Sequence, residues 1–106
     1  MNIIYKNRGK GKTTELIKIS AEKYLYILVA DKNRQREVFN LARDLNLNIP
    51  FPITVEDYFR SDKLRGSFIK TILIDDADDI LQQIFNTVII DTITITKETE
   101  EWRLKN

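Results

Sequence analysis

Residues 24–30 read YLYILVA, a nearly continuous apolar run rich in β-formers. A strand that shows no polar face has to be buried on both faces, and that environment is the interior of a parallel sheet covered by helices on each side. The flanking segments supply those helices. From Thr13 to Tyr24, apolar residues fall at Leu16, Ile17, Ile19, Ala21 and Tyr24, which suits a helix packed on a sheet. Asp31 to Arg36 is polar and can begin a second helix, in which Val38, Leu41, Ala42 and Leu45 keep helical spacing before Asn46 and Asn48 end it.

Further runs repeat the alternation. Ile3-Ile4-Tyr5 reads as a short strand, Thr71 to Ile74 as another, and Val88 to Thr96 as a long β-branched one. Between the last two, Ala77 to Phe85 reads as a helix with Ile80, Leu81, Ile84 and Phe85 inward. Two prolines bar Ile49-Pro50-Phe51-Pro52 from a central strand. Ile53 to Val55 fits a short edge strand, and Thr54 can cap a helical turn through Tyr58 and Phe59, with Asp57 three residues on. Ser61 to Lys70 is polar and reads as a loop or short helix. The order β-α-β-α-(β)-β-α-β predicts an α/β domain of three α/β/α layers. Its sheet would be mostly parallel, with about four to five strands and right-handed crossovers. Residues 1–96 form that single domain, and 97–106 read as a charged tail carrying Trp102.

Composition narrows the chemistry. A chain of 106 residues with 42% hydrophobic content supports one core. It has no cysteine, which removes thiol and disulfide chemistry, and no histidine, which removes imidazole acid/base catalysis and argues against structural zinc. No signal peptide and no membrane-spanning apolar run is read, so the expected location is the cytoplasm. The net charge of +1 favours no partner class, but the amino-terminal half is basic and the carboxy-terminal half acidic.

The basic half contains a glycine turn. After Ile3-Ile4-Tyr5 come Gly9 and Gly11, then Lys12-Thr13-Thr14 and a helix. Glycine permits backbone angles that let successive N–H groups face one anion, and a helix start adds free N–H groups and a positive dipole end. Strand, glycine turn and helix in that order make phosphate binding a structural expectation. Ligands of open parallel sheets lie outside the carboxyl ends of the strands. Both this turn and the Asp75-Asp76 pair after Thr71–Ile74 occupy such ends.

Lys6 to Thr13, KNRGKGKT, resembles the Walker A motif G-x-x-x-x-G-K-S/T of the P-loop NTPases, with Lys6 in place of the first glycine. Gly9 stands where many ATPases of the RecA and AAA+ type carry an additional glycine. Thr71 to Asp76, TILIDD, resembles a Walker B strand. The resemblance implies binding of a nucleoside triphosphate, ATP first, with Mg²⁺. Arg8, Gly9, Lys10, Gly11, Lys12, Thr13 and Thr14 would contact the nucleotide. Thr13 and Asp75 would serve the metal. Lys12 and Asp76 would be catalytic, Asp76 standing where the family often has glutamate. The strand 88–96 sits where the family often senses the γ-phosphate, with Thr92, Thr94 or Thr96 as candidates. Asp78 and Asp79 read as helix-start acids. The pattern as a whole resembles small P-loop proteins of bacteriophages, truncated relative to full RecA- or AAA-type modules. The resemblance therefore implies a role in phage DNA metabolism, with a site that an oligomer could complete.

Three readings remain open at this level. The first is a slow ATPase. The second is a non-hydrolysing regulatory module that binds nucleotide and a replication or recombination protein. The third is a nucleic-acid accessory protein using Lys6, Arg8 and Lys10 on phosphates.

Overall fold

The computed structural model describes residues 1–7, 9, 11–61 and 69–96. Within them the chain runs α1 (Lys12–Lys23), β1 (Ile27–Val29), α2 (Lys32–Asp44), β2 (Ile53–Thr54), α3 (Val55–Arg60), β3 (Leu73–Ile74) and α4 (Ala77–Phe85). The three strands form one parallel sheet in the order β2-β1-β3. Leu28 is the pivot of the register, opposite Ile53 on one side and Ile74 on the other.

The central strand lies within the expected run 24–30 but is shorter, since Tyr24 ends α1, and all three of its residues are buried. Because side chains alternate across a strand, its residues divide between two cores. Ile27 and Val29 pack with Ile17 of α1, Val38 and Ala42 of α2, and Ile49. Leu28 points the other way and packs with Ile53, Val55 and Ile80 of α4. Helices therefore cover both faces, as the alternation of the sequence requires.

Local signals set the boundaries. Helix α1 closes at Tyr24 in the left-handed region (φ 52°), where the Ser20 hydroxyl, fully buried, donates to the Leu25 carbonyl at 2.6 Å. Helix α2 starts at Asp31, whose carboxylate accepts from the Arg34 N–H at 2.9 Å. Thr54 caps α3 as expected, accepting from the Asp57 N–H at 3.0 Å. Pro50 and Pro52 are buried beside the sheet rather than within it, and the Gln35 amide donates to the Pro52 carbonyl at 2.7 Å.

Two expected strands are absent. Neither Ile3–Tyr5 nor Val88–Thr96 forms one, so the described residues hold three strands rather than four or five. A strand exists by pairing and by packing a face, and composition alone supplies neither. Tyr5 is exposed, and Ile89 is 87% exposed. The Gln82 side chain replaces a neighbour for the later segment. Its NH₂ donates to the Val88 carbonyl at 2.6 Å and its oxygen accepts from the Ile90 N–H at 3.1 Å. Those are the two bonds that one residue of an adjacent parallel strand would make astride Ile89. Helix α4 is also less enclosed than expected: Ile80 is buried, but Ile84 and Phe85 are exposed. The tail 97–106, with Trp102, lies outside the described residues.

Candidate functional site

Parallel strands bring their carboxyl ends to one rim, and three chain turns meet there. The β1–α2 turn brings Arg34, one turn into α2 behind its Asp31 cap. The β3–α4 turn brings Asp75 and Asp76. The start of α1 brings Lys12 and Thr13.

Thr13 and Asp75, 62 positions apart in sequence, are bonded: the threonine hydroxyl donates to Asp75 Oδ1 at 3.1 Å. Asp75 is only 3% exposed. A carboxylate at that depth needs a counter-charge, and Arg34 provides it. Its Nε donates to Asp75 Oδ2 at 2.7 Å, and one terminal nitrogen donates to the Thr13 hydroxyl oxygen at 2.6 Å. The same nitrogen lies 3.5 Å from Asp75 Oδ1 and 3.7 Å from Asp76 Oδ2. Thr13 is thus acceptor and donor at once, with arginine and carboxylate on its two sides. The bond to Asp75 raises the Arg34 pKa above its ordinary value, against the opposing effect of burial.

Asp76 differs from its neighbour. It stands at the N-cap of α4 in the left-handed region (φ 51°, ψ 74°), and its side chain makes no capping bond. Non-glycine residues take those angles at a cost, and such strain gathers at functional sites. Burial first, and the Asp75 charge second, raise its pKa, while Arg34 and Lys12 pull it down.

The glycine turn adopts the geometry its composition allows. Gly9 and Gly11 have φ of 78° and 82°. A Cβ at either would meet nothing within 4 Å, so glycine is required there by backbone angle rather than by space. Gly11 is the N-cap of α1 and has no side chain with which to accept from the first-turn N–H groups. Lys12 is half-buried, with Nζ 3.5 Å from the Lys6 carbonyl. Lys6 pairs with Glu15 at 2.9 Å. Thr14 lies half-buried in the first turn of α1. Arg8 and Lys10 lie outside the described residues. Thr92, Thr94 and Thr96 are exposed on a segment that forms no strand, so the strand that would have carried a phosphate sensor is missing among the described residues.

Sequence reasoning brought Gly9, Gly11, Lys12, Thr13, Asp75 and Asp76 to this rim but passed over Arg34. The signal was positional. Arg34 opens the helix that follows the central strand, and so belongs to the same sheet rim as Asp75. A polar helix start usually reads as solvated, which hid it.

The donors suit a hard cation. Mg²⁺ takes oxygen ligands at about 2.0–2.1 Å in an octahedron, whose adjacent ligands are about 2.9 Å apart. The Thr13 and Asp75 oxygens, at 3.1 Å, nearly match that edge. Among the described residues no group of three acidic, histidine or cysteine side chains gathers. A metal held here would therefore complete its shell with water and phosphate oxygens, as Mg²⁺ usually does. A shallow hollow lined by Phe39, Arg43, Asn46, Leu47, Asn48 and Ile49 shares no residue with the rim. Among the described residues, no helix is long and apolar enough to cross a membrane. Comparisons with protein-family models, with curated proteins and with solved structures found no match.

Proposed function

We propose that this chain is a minimal P-loop-type domain that binds a nucleoside triphosphate, ATP first, together with Mg²⁺. The observation that carries the reading is the bond between the Thr13 hydroxyl and the Asp75 carboxylate, joining the glycine turn to the acidic strand end. The parallel sheet, the positive φ of Gly9 and Gly11, and an α1 start without a side-chain cap support it.

In this reading the loop N–H groups and the first turn of α1 hold the phosphate chain, and Lys12 sets its charge against the β- and γ-phosphates. Bound Mg²⁺, on Thr13 and Asp75, would neutralise phosphate charge. Asp76 lies beside that pair and can orient a water. Hydrolysis is then attack of water on the γ-phosphorus with cleavage of the β,γ-bridging bond. Slow turnover is expected of the chain acting alone, since the sequence marks no stimulating arginine. Pairing of Lys6 with Glu15 favours this reading over a nucleic-acid contact through the same lysine.

The test is thermal stability against ATP, GTP and tripolyphosphate, each with and without Mg²⁺. A specific ligand at 100 times its Kd adds about 2.7 kcal/mol by mass action. A Mg²⁺-dependent rise in wild type that is lost in Lys12→Ala is expected, and no rise with any of the three ligands overturns the proposal. Phosphate release above the Lys12→Ala level then separates an ATPase from a module that binds without turnover.

A further inference from the structure

We propose that Arg34 is a built-in cation at the Thr13–Asp75 pair, and that a divalent metal binds there only by displacing it. The proposal deepens the nucleotide reading and rests on Thr13 and Asp75 being the metal-bearing oxygens.

Geometry carries it. The oxygens that would face a metal are the ones the guanidinium already holds. Arg34 Nε contacts Asp75 Oδ2 at 2.7 Å, and a terminal nitrogen contacts the Thr13 oxygen at 2.6 Å. That nitrogen also lies 3.5 Å from Asp75 Oδ1, so the fork spans the Thr13–Asp75 edge. Asp75 is nearly sealed from solvent, so no free face of its carboxylate is left for a second cation. Two cations on one buried carboxylate would also repel at short range. Occupancy is therefore exclusive.

The arrangement has a logic for the free protein. A buried carboxylate without a counter-charge is strongly destabilising. The arginine fork meets that need and ties α1, α2 and the β3–α4 turn together through Thr13, Asp75 and Asp76. Two partners lie within reach of a released guanidinium: Glu37, one turn along α2 and already 3.7 Å from a terminal nitrogen, and Asp76. Divalent metal alone has to compete with a tethered arginine. Metal that arrives with a polyphosphate brings added contacts to the glycine turn, so the site discriminates against bare cations.

The test uses Mn²⁺ alone, read by the electron spin resonance signal of the free ion, with no nucleotide. Arg34→Ala is expected to bind Mn²⁺ at least tenfold more tightly than wild type, and Asp75→Asn in the Arg34→Ala background is expected to cancel that gain. If Arg34→Ala does not fold, Arg34→Gln, which keeps a hydrogen-bonding side chain without the charge, is held to the same criterion. A second measurement needs no variant. Phenylglyoxal labelling of Arg34 in wild type, read by mass spectrometry, should rise when Mn²⁺ is added at saturating concentration. Unchanged Mn²⁺ affinity in a folded Arg34 variant, or unchanged labelling under saturating Mn²⁺, overturns the proposal. These arms contain no phosphate, so failure of nucleotide binding would show in the ATP and tripolyphosphate titrations and not here.

Discussion

The two edges of the sheet are built differently. On the β2 side, Ile53, Thr54 and Val55 are all buried, Pro52 is sealed beneath them, and a threonine cap starts the next helix at once. On the β3 side, Leu73 is half-buried and Ile74 is 45% exposed. Both edges pair with the same central strand through the same kind of parallel register. The difference is what covers them. The closed edge serves stability. The open edge ends in Asp75, itself buried under Arg34, and in the half-buried Asp76, whose left-handed backbone is tolerated there.

Substitution can break or sharpen that contrast. The largest effect is expected between the centre and the open edge. Ile27→Ala should cost about 2–4 kcal/mol in urea denaturation, as buried isoleucine truncations do, while Ile74→Ala should cost under about 1 kcal/mol. Equal losses would mean that the β3 side is as tightly built as the core. Next comes the rim. Asp75→Asn removes the charge that Arg34 holds and should cost about 2 kcal/mol, below the usual cost of breaking a buried pair because the arginine keeps access to water. It should also abolish any Mg²⁺ dependence of ATP binding. At the closed edge, Thr54→Ala loses the α3 cap and should cost about 1 kcal/mol.

The smallest effect is expected at Asp76. Its folded-state pKa is raised, so the folded protein holds that proton more tightly than the unfolded chain. Stability from this group is full below the ordinary aspartate value of 3.8 and is lost as pH climbs through the raised value. Asp76→Asn carries no charge and, like aspartate, has a short polar side chain that can visit the left-handed region. It should therefore melt about 2 °C above wild type at pH 7, with the gain vanishing below pH 3.8. A gain that persists in acid would show that backbone relief, rather than charge, is the cause.

Much of this was legible from local pattern. YLYILVA declared the central strand, helical periodicity the three long helices, and Thr54 with Asp57 the short one. The acid after the TILI run is where the strand end places it, bonded to the threonine that follows the glycine turn. The failures are physical in kind. Ile3–Tyr5 and Val88–Thr96 have strand composition, but strand formation depends on a partner that composition does not name. Arg34 was hidden because a charged side chain at a helix start resembles any solvated one. Only a long-range carboxylate 41 positions away gives it a role.

The Gln82 amide, astride Ile89, has one more effect. Exposed main-chain donors and acceptors flanked by isoleucine and valine are a template on which another molecule can lay its own chain. By engaging the Val88 carbonyl and the Ile90 N–H, this one side chain blunts the template at its first rung. A shape-matched apolar residue such as leucine at position 82 would leave the helix intact and hand both main-chain groups back to water or to another chain.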